Sequence, residues 1–216
     1  MEVWQDAFRT SQTIFKLVSY LNSKQQMPYL LTLFENMSKI FFESKHYMFH
    51  TYALFNLIHA VKRNIRFTTE EKAELSCKFI LAALSVPLNH RLSNFERLST
   101  QYLPRELQDD AENSQKIKGE VLDVASMLYI SGLPSRNGLI NEIVQKNMQN
   151  ILGHSEIANL FNLIENEESP FTISKKGKEA LDAAVKKTPS LSSYANFLRK
   201  TLSVRILQKS KNYYTN

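Results

Sequence analysis

The sequence predicts an all-α protein built from antiparallel helical hairpins, and three observations predict it. Apolar residues recur at i, i+3, i+4 and i+7 through most of the chain. No stretch shows the apolar–polar alternation of a half-buried strand. Thr68, with Glu71 three positions on, is a capping box that restarts the chain as a helix between two apolar runs.

The elements follow in order. Residues 1–21 read as a first helix, with Trp4, Phe8, Phe15 and Val18 on one side and Ala7, Ile14 and Leu21 beside them. Residues 22–28 read as a polar break, and 29–43 as a second helix on the stripe Leu30, Leu33, Phe34, Met37 and Phe41. The stretch 46–88 reads as two helices back to back. In the first, Tyr47, Leu54, Ile58 and Val61 form one stripe, and Met48, Tyr52 and Phe55 a second. So wide an apolar surface requires packed neighbours on at least two sides. In the second, Leu75, Phe79, Ala82, Ala83 and Val86 recur until Pro87 stops the helix. Successive hairpins at this spacing are what degenerate helix-turn-helix repeats produce.

Residues 89–115 are the least regular, with Pro104 and a polar run around Asp109 and Asp110. Helical periodicity returns at 117–129, and Gly132-Leu133-Pro134 ends it. Ser135 then opens a helix to about Met148 with Leu139, Ile140, Ile143 and Val144 inward. Ser155 opens another on Ile157, Leu160, Phe161 and Ile164. Residues 165–170 read as a charged linker, 174–187 as a short helix, and 192–213 as a long basic helix after Pro189. The division expected is 1–88 as helical-hairpin repeats, 89–131 as an irregular connection and 132–216 as a second helical region.

With 43% hydrophobic and 22% charged residues, the composition is that of a soluble globular chain. No run of about 18 apolar residues exists to cross a membrane. The N-terminus lacks the basic-then-apolar order of a secretory leader, and the single cysteine, Cys77, has no internal partner. A reducing, cytoplasmic or nuclear setting is expected. The formal charge is +6, yet residues 183–216 hold seven basic residues and no acidic one. A field concentrated at one end suggests contact with a polyanion or an acidic partner.

Candidate chemistry is thin. His46 and His50 lie four apart with Glu43 one turn earlier, but a metal needs three or four ligands and no second cluster offers them. Gly132 and Gly138 flank a helix start, yet Leu139 stands where a phosphate loop needs lysine and then Ser or Thr. Cys77 has apolar neighbours and no base fixed nearby, and the acid pairs 109–110 and 167–168 read as solvated loops. No enzyme, metal or cofactor site is expected. What remains is the last helix, where Arg199, Lys200, Arg205, Lys209 and Lys211 share a helix with an apolar face of Tyr194, Phe197, Leu198, Leu202 and Ile206. These cations are either a contact for RNA or an acidic protein surface, or a solvated face that happens to be basic.

Three patches carry a resemblance. They are Met1-Glu2-Val3-Trp4-Gln5-Asp6-Ala7-Phe8; Phe49-His50 with Leu54, Leu57 and His59, then Leu84-Ser85-Val86-Pro87; and Pro134-Ser135-Arg136-Asn137-Gly138-Leu139-Ile140-Asn141-Glu142, leading into Glu156-Ile157 and Leu160-Phe161. Their order and separations over about residues 1–165 resemble the PCI-domain scaffold family typified by the a-subunit of eukaryotic translation initiation factor 3. The likeness fades at 169–191 and returns faintly at Tyr194 and Arg205-Ile206-Leu207. It implies a right-handed superhelix of TPR-like hairpins leading into a PCI domain, here the helical part at 132–216. It also implies a non-enzymatic protein that binds other factor subunits, subunit c foremost, and the small ribosomal subunit. The family has helices before the position of Met1, and a winged helix and long tail after that of Asn216. A fragment or a reduced protein is therefore expected, and 89–131 matches the family poorly. The rivals are a PCI scaffold of the proteasome lid or a related complex, and a free-standing RNA-binding module acting through the basic helix.

Overall fold

The computed structural model describes residues 3–62, 64, 66–88, 124, 127–130, 134–151, 153–187 and 189–214. Eight α-helices occur among them: α1 (Val3–Ser19), α2 (Ser23–Glu43), α3 (Tyr47–Lys62), α4 (Thr69–Ser85), α5 (Arg136–Gln145), α6 (Ser155–Glu165), α7 (Pro170–Lys187) and α8 (Ala195–Tyr214). A 3₁₀ turn over Pro189–Tyr194 precedes α8. No strand occurs among the described residues. The all-α expectation holds. The irregular stretch 89–115, most of the helix expected at 117–129 and Gly132 lie outside the described residues, as do the side chains of Trp4 and Phe8.

The chain forms two compact units, 1–64 with 91–135, and 65–90 with 136–216. The boundary at 64/65 falls inside the stretch that periodicity reads as one pair of helices, so α3 and α4 belong to different units.

In the first unit α2 packs between α1 and α3. α2 begins earlier than its apolar stripe suggests. Asn22 caps it by accepting from the Gln25 N–H at 3.1 Å, and the Gln26 side chain donates to the Leu21 carbonyl at 2.6 Å. The residues read as a polar break are therefore its first turns, and Pro28 is carried inside the helix. The helix ends in a left-handed residue, Lys45 at φ +64°. There the His46 N–H reaches the Phe41 carbonyl at 2.9 Å and the Lys45 N–H that of Phe42 at 3.1 Å, a Schellman turn made without glycine. It folds α3 back so that Leu33, Phe34, Met37 and Phe41 of α2 and Met48, Phe49, Leu54 and Ile58 of α3 are all buried. The Phe41 and Phe49 rings lie 5.4 Å apart. Val124, Met127 and Leu128 are buried in the same unit, and the Leu128 carbonyl accepts from the Asn56 side chain at 2.7 Å.

In the second unit α4 is the axis. It touches α5, α6, the 3₁₀ turn and α8. Its capping box is complete: the Glu71 N–H donates to the Thr68 hydroxyl at 3.2 Å, and the Thr68 N–H to the Glu71 carboxylate at 2.8 Å. From Phe79 to Val86 every residue is buried, as expected of a helix surrounded on all sides. α6 and α8 both pack on α7, and α7 and α8 approach closely at Gly177. A Cβ placed there would lie 3.0 Å from a Leu202 methyl. The faces read from periodicity are the buried ones in α6, whereas in α5 Val144, expected inward, is 49% exposed.

Candidate functional site

The segment 165–170, expected as a linker, is shorter than that: only 166–169 lie between two helices. α6 runs to Glu165, and α7 starts at Pro170 with Ser169 before it, whose hydroxyl accepts from the Thr172 N–H at 3.4 Å. Proline at the first helical position after a serine cap is a compact helix start. The tight turn between these helices brings acids against cations supplied by α5 and α8.

Arg136, the first residue of α5, is buried. Its Nε donates to the Val86 carbonyl just past α4 at 3.0 Å. Its two terminal nitrogens take both carboxylate oxygens of Glu165, one at 3.2 Å and the other closer. The side chains of this pair are only 5% and 10% exposed. From α8, Arg205 donates Nε to the Ile164 carbonyl at 2.6 Å and a terminal N–H to the Glu165 carbonyl at 3.1 Å. Its guanidinium also stands 3.8 Å from the Glu165 carboxylate. One acid between two arginines thus ties together the ends of α4, α5 and α6 and the flank of α8. A cation on the last carbonyls of α6 also meets the negative end of that helix's dipole.

The five cations predicted as a contact surface divide. Arg205 and Lys209 turn inward: Arg205 closes α6, and the Lys209 ammonium, on a side chain 14% exposed, pairs with Glu168. Arg199, Lys200 and Lys211 are exposed. Arg199 lies 3.7 Å from Asp182 of α7, with both side chains more than half exposed, and donates to Asn196 at 3.2 Å. On α7 itself Lys175, Lys176, Lys178 and Lys186 are exposed. The basic character at this end of the chain is therefore partly internal mortar. Sequence reasoning missed Arg136 and Glu165 as members of one site. Arg136 carried a signal, since it stands in the third patch of resemblance, but Glu165 carried none.

The remaining candidates resolve into packing. The His50 ring is buried, with Nδ1 2.7 Å from the Ser38 carbonyl. A carbonyl only accepts, so Nδ1 holds the proton and the imidazole joins α3 to α2. Among the described residues no three His, Cys, Asp or Glu side chains converge as metal ligands. Cys77 is buried, and desolvation, with Glu74 nearby, pushes its thiol up to about 12. A thiol held protonated is no nucleophile. Burial likewise raises the Tyr194 phenol above its ordinary range. Among the described residues no helix is long and apolar enough to cross a membrane.

Helical hairpins stacked through buried faces, with charge reserved for helix ends and outer surfaces, define a TPR-like helical-repeat protein. A family model described as "eIF3a, PCI domain, TPR-like region" matches residues 1–172, and the chain belongs to that family. Relatives named as the A subunit of eukaryotic translation initiation factor 3 align along nearly the whole chain. The Homo sapiens protein is 29% identical over 220 residues, covering 99% of this chain and 15% of its own length. That of Monosiga brevicollis is 26% identical over 216 residues, covering 100% and 19%, and that of Arabidopsis thaliana 25% over 227 residues, covering 99% and 22%. The chain thus spans less than a quarter of the length of these relatives. α8 lies beyond the family match.

Proposed function

We propose that this chain is a non-enzymatic scaffold element of translation initiation factor 3 that works in the cytoplasm. It holds other subunits, subunit c foremost, and helps recruit the small ribosomal subunit during initiation. The observation that carries this reading is the family match over 1–172, in relatives whose name is that of an initiation factor component. The architecture supports it, because stacked hairpins offer long surfaces that bind by many modest contacts. Sedimentation of the tagged chain tests it. Co-migration with small ribosomal subunits and with subunit c is the expected result, and co-migration with the proteasome lid instead would overturn it.

The candidate contact surface for rRNA or an acidic partner narrows to the outward cations Arg199, Lys200 and Lys211. Arg205 and Lys209 have structural partners, which argues against a free-standing RNA-binding module that needs all five. Changing Arg199 and Lys200 to Gln should weaken association with small subunits and flatten its dependence on salt while leaving the fold intact. Changing Arg205 and Lys209 to Gln should instead lower stability. RNA binding by the isolated chain that vanished equally in both double variants would favour the free-standing module.

A further inference from the structure

Between α6 and α7 runs an open groove of about 750 Å³. Along its α6 wall Asn159, Asn162 and Asn166 fall at i, i+3 and i+7, with Leu163 among them, so they share one face of the helix. All three asparagines are exposed. Asn166 donates to the Asn162 side-chain oxygen at 2.9 Å. That bond uses one donor of Asn166 and orients the pair, leaving Asn162 its N–H groups and Asn166 its oxygen to offer a ligand.

We infer that this groove binds an extended peptide segment bearing a basic side chain. Carboxamides offer a donor and an acceptor together, the complement of a peptide group whose N–H and C=O are not already paired. From Asn159 to Asn166 the chain advances about 10.5 Å along the α6 axis, and about three residues of extended peptide cover the same length, so a short extended segment spans the row of asparagines. An α-helical ligand fits worse on two counts. Its own backbone groups are satisfied internally, so it has none to offer the carboxamides along its length. Few apolar anchors await it, since Leu163, Ala180 and Ala183 are the apolar lining. The sign of the partner follows from the rim, where Glu167, Glu168 and Glu179 face one cation, Lys176. Glu168 already pairs with Lys209 and Glu167 accepts from the Ser169 N–H, yet the acids still outweigh the cation. A phosphate or an acidic tail would be repelled there.

The groove supplies a kind of partner for the scaffold proposed above and rests on that reading only for why a partner exists. Its test uses the full chain and pools of acetylated, amidated hexapeptides with Lys, Arg, Ala or Glu fixed at the third position, read by fluorescence polarisation. The Lys and Arg pools should bind and the Glu pool should not. N-methylation of the backbone of a selected peptide should weaken it about tenfold, and so should Asn159→Ala with Asn162→Ala, the loss of one or two hydrogen bonds. Ala183→Arg, which fills the groove and offsets one of its acids without replacing the asparagines, should do the same. Circular dichroism and thermal midpoint should be unchanged in all variants. The inference is overturned if the Glu pool binds as well as the Lys pool, if no pool binds, or if these variants bind undiminished. Peptide binding without sedimentation with small subunits would sink the scaffold reading and keep the groove, and the reverse pattern would do the opposite.

Discussion

The two units owe their cohesion to different physics. In the first, Phe34 and Phe41 of α2 and Met48, Phe49 and Leu54 of α3 are buried, and the His50 imidazole bonds the Ser38 carbonyl from one helix to the other. In the second, apolar faces also bury, but the helix ends are fixed by ions, with Glu165 gripped by Arg136 and flanked by Arg205. An aromatic core tolerates small shifts, because attraction between apolar atoms falls off gently and has no fixed direction. A bidentate guanidinium–carboxylate pair does not, because both its distance and its plane are set. The second unit should therefore be the more precisely shaped and the more easily ruined by one substitution.

Arg136→Ala should break that contrast most severely. It leaves a buried carboxylate without its main partner and should cost about 3–5 kcal/mol in urea unfolding. The paired change Arg136→Met with Glu165→Leu removes both charges and should return most of that loss. Phe49→Ala in the first unit should also cost about 3–5 kcal/mol through lost burial and a cavity, but no second substitution of charge can rescue it. A smaller effect is expected of Thr68→Ala, about 1 kcal/mol, because it removes half the capping box at the start of α4. Lys45→Gly should stabilise by about 1 kcal/mol, relieving a side chain from the left-handed backbone of the α2–α3 turn. Mildest is the response to acid. Glu156, through its own backbone N–H and then the Lys187 ammonium, and Glu168, through Lys209, are held below the ordinary carboxylate range. A lowered folded-state value means their contribution is complete above the usual glutamate value of about 4.3 and is lost as pH falls through the lower one. Glu168 is exposed and Glu156 partly so, and the slope should be slight. Glu156→Gln with Glu168→Gln should flatten it in thermal melts taken from neutral to acid pH.

Much of this fold is legible in the order of the amino acids alone. The Thr68–Glu71 box, the breadth of the α3 stripe and the buried face of α6 are local patterns, and local patterns survive folding. Asn22 and Ser169-Pro170 are equally local signals of helix starts, but the polar residues around them mask the turns they begin. Val144 fits the α5 stripe by spacing yet ends exposed, because periodicity gives a face and not its neighbour. The Arg136–Glu165–Arg205 cluster is not legible, since its members lie 29 and 40 positions apart and a charge in sequence is silent about whether it is buried. For the same reason Arg205 and Lys209 look like their outward neighbours on α8.

The close passage at Gly177 carries a warning for anyone mapping partners by mutation. With a Leu202 methyl 3.0 Å from where a Cβ would sit, even alanine requires that α8 side chain to give by a few tenths of an ångström. A survey scored by complex assembly alone would therefore flag position 177 as a docking residue, although its side is hidden from every visitor. Pairing Gly177→Ala with Leu202→Ala restores the clearance, and a genuine docking position would not respond to that second, hidden change.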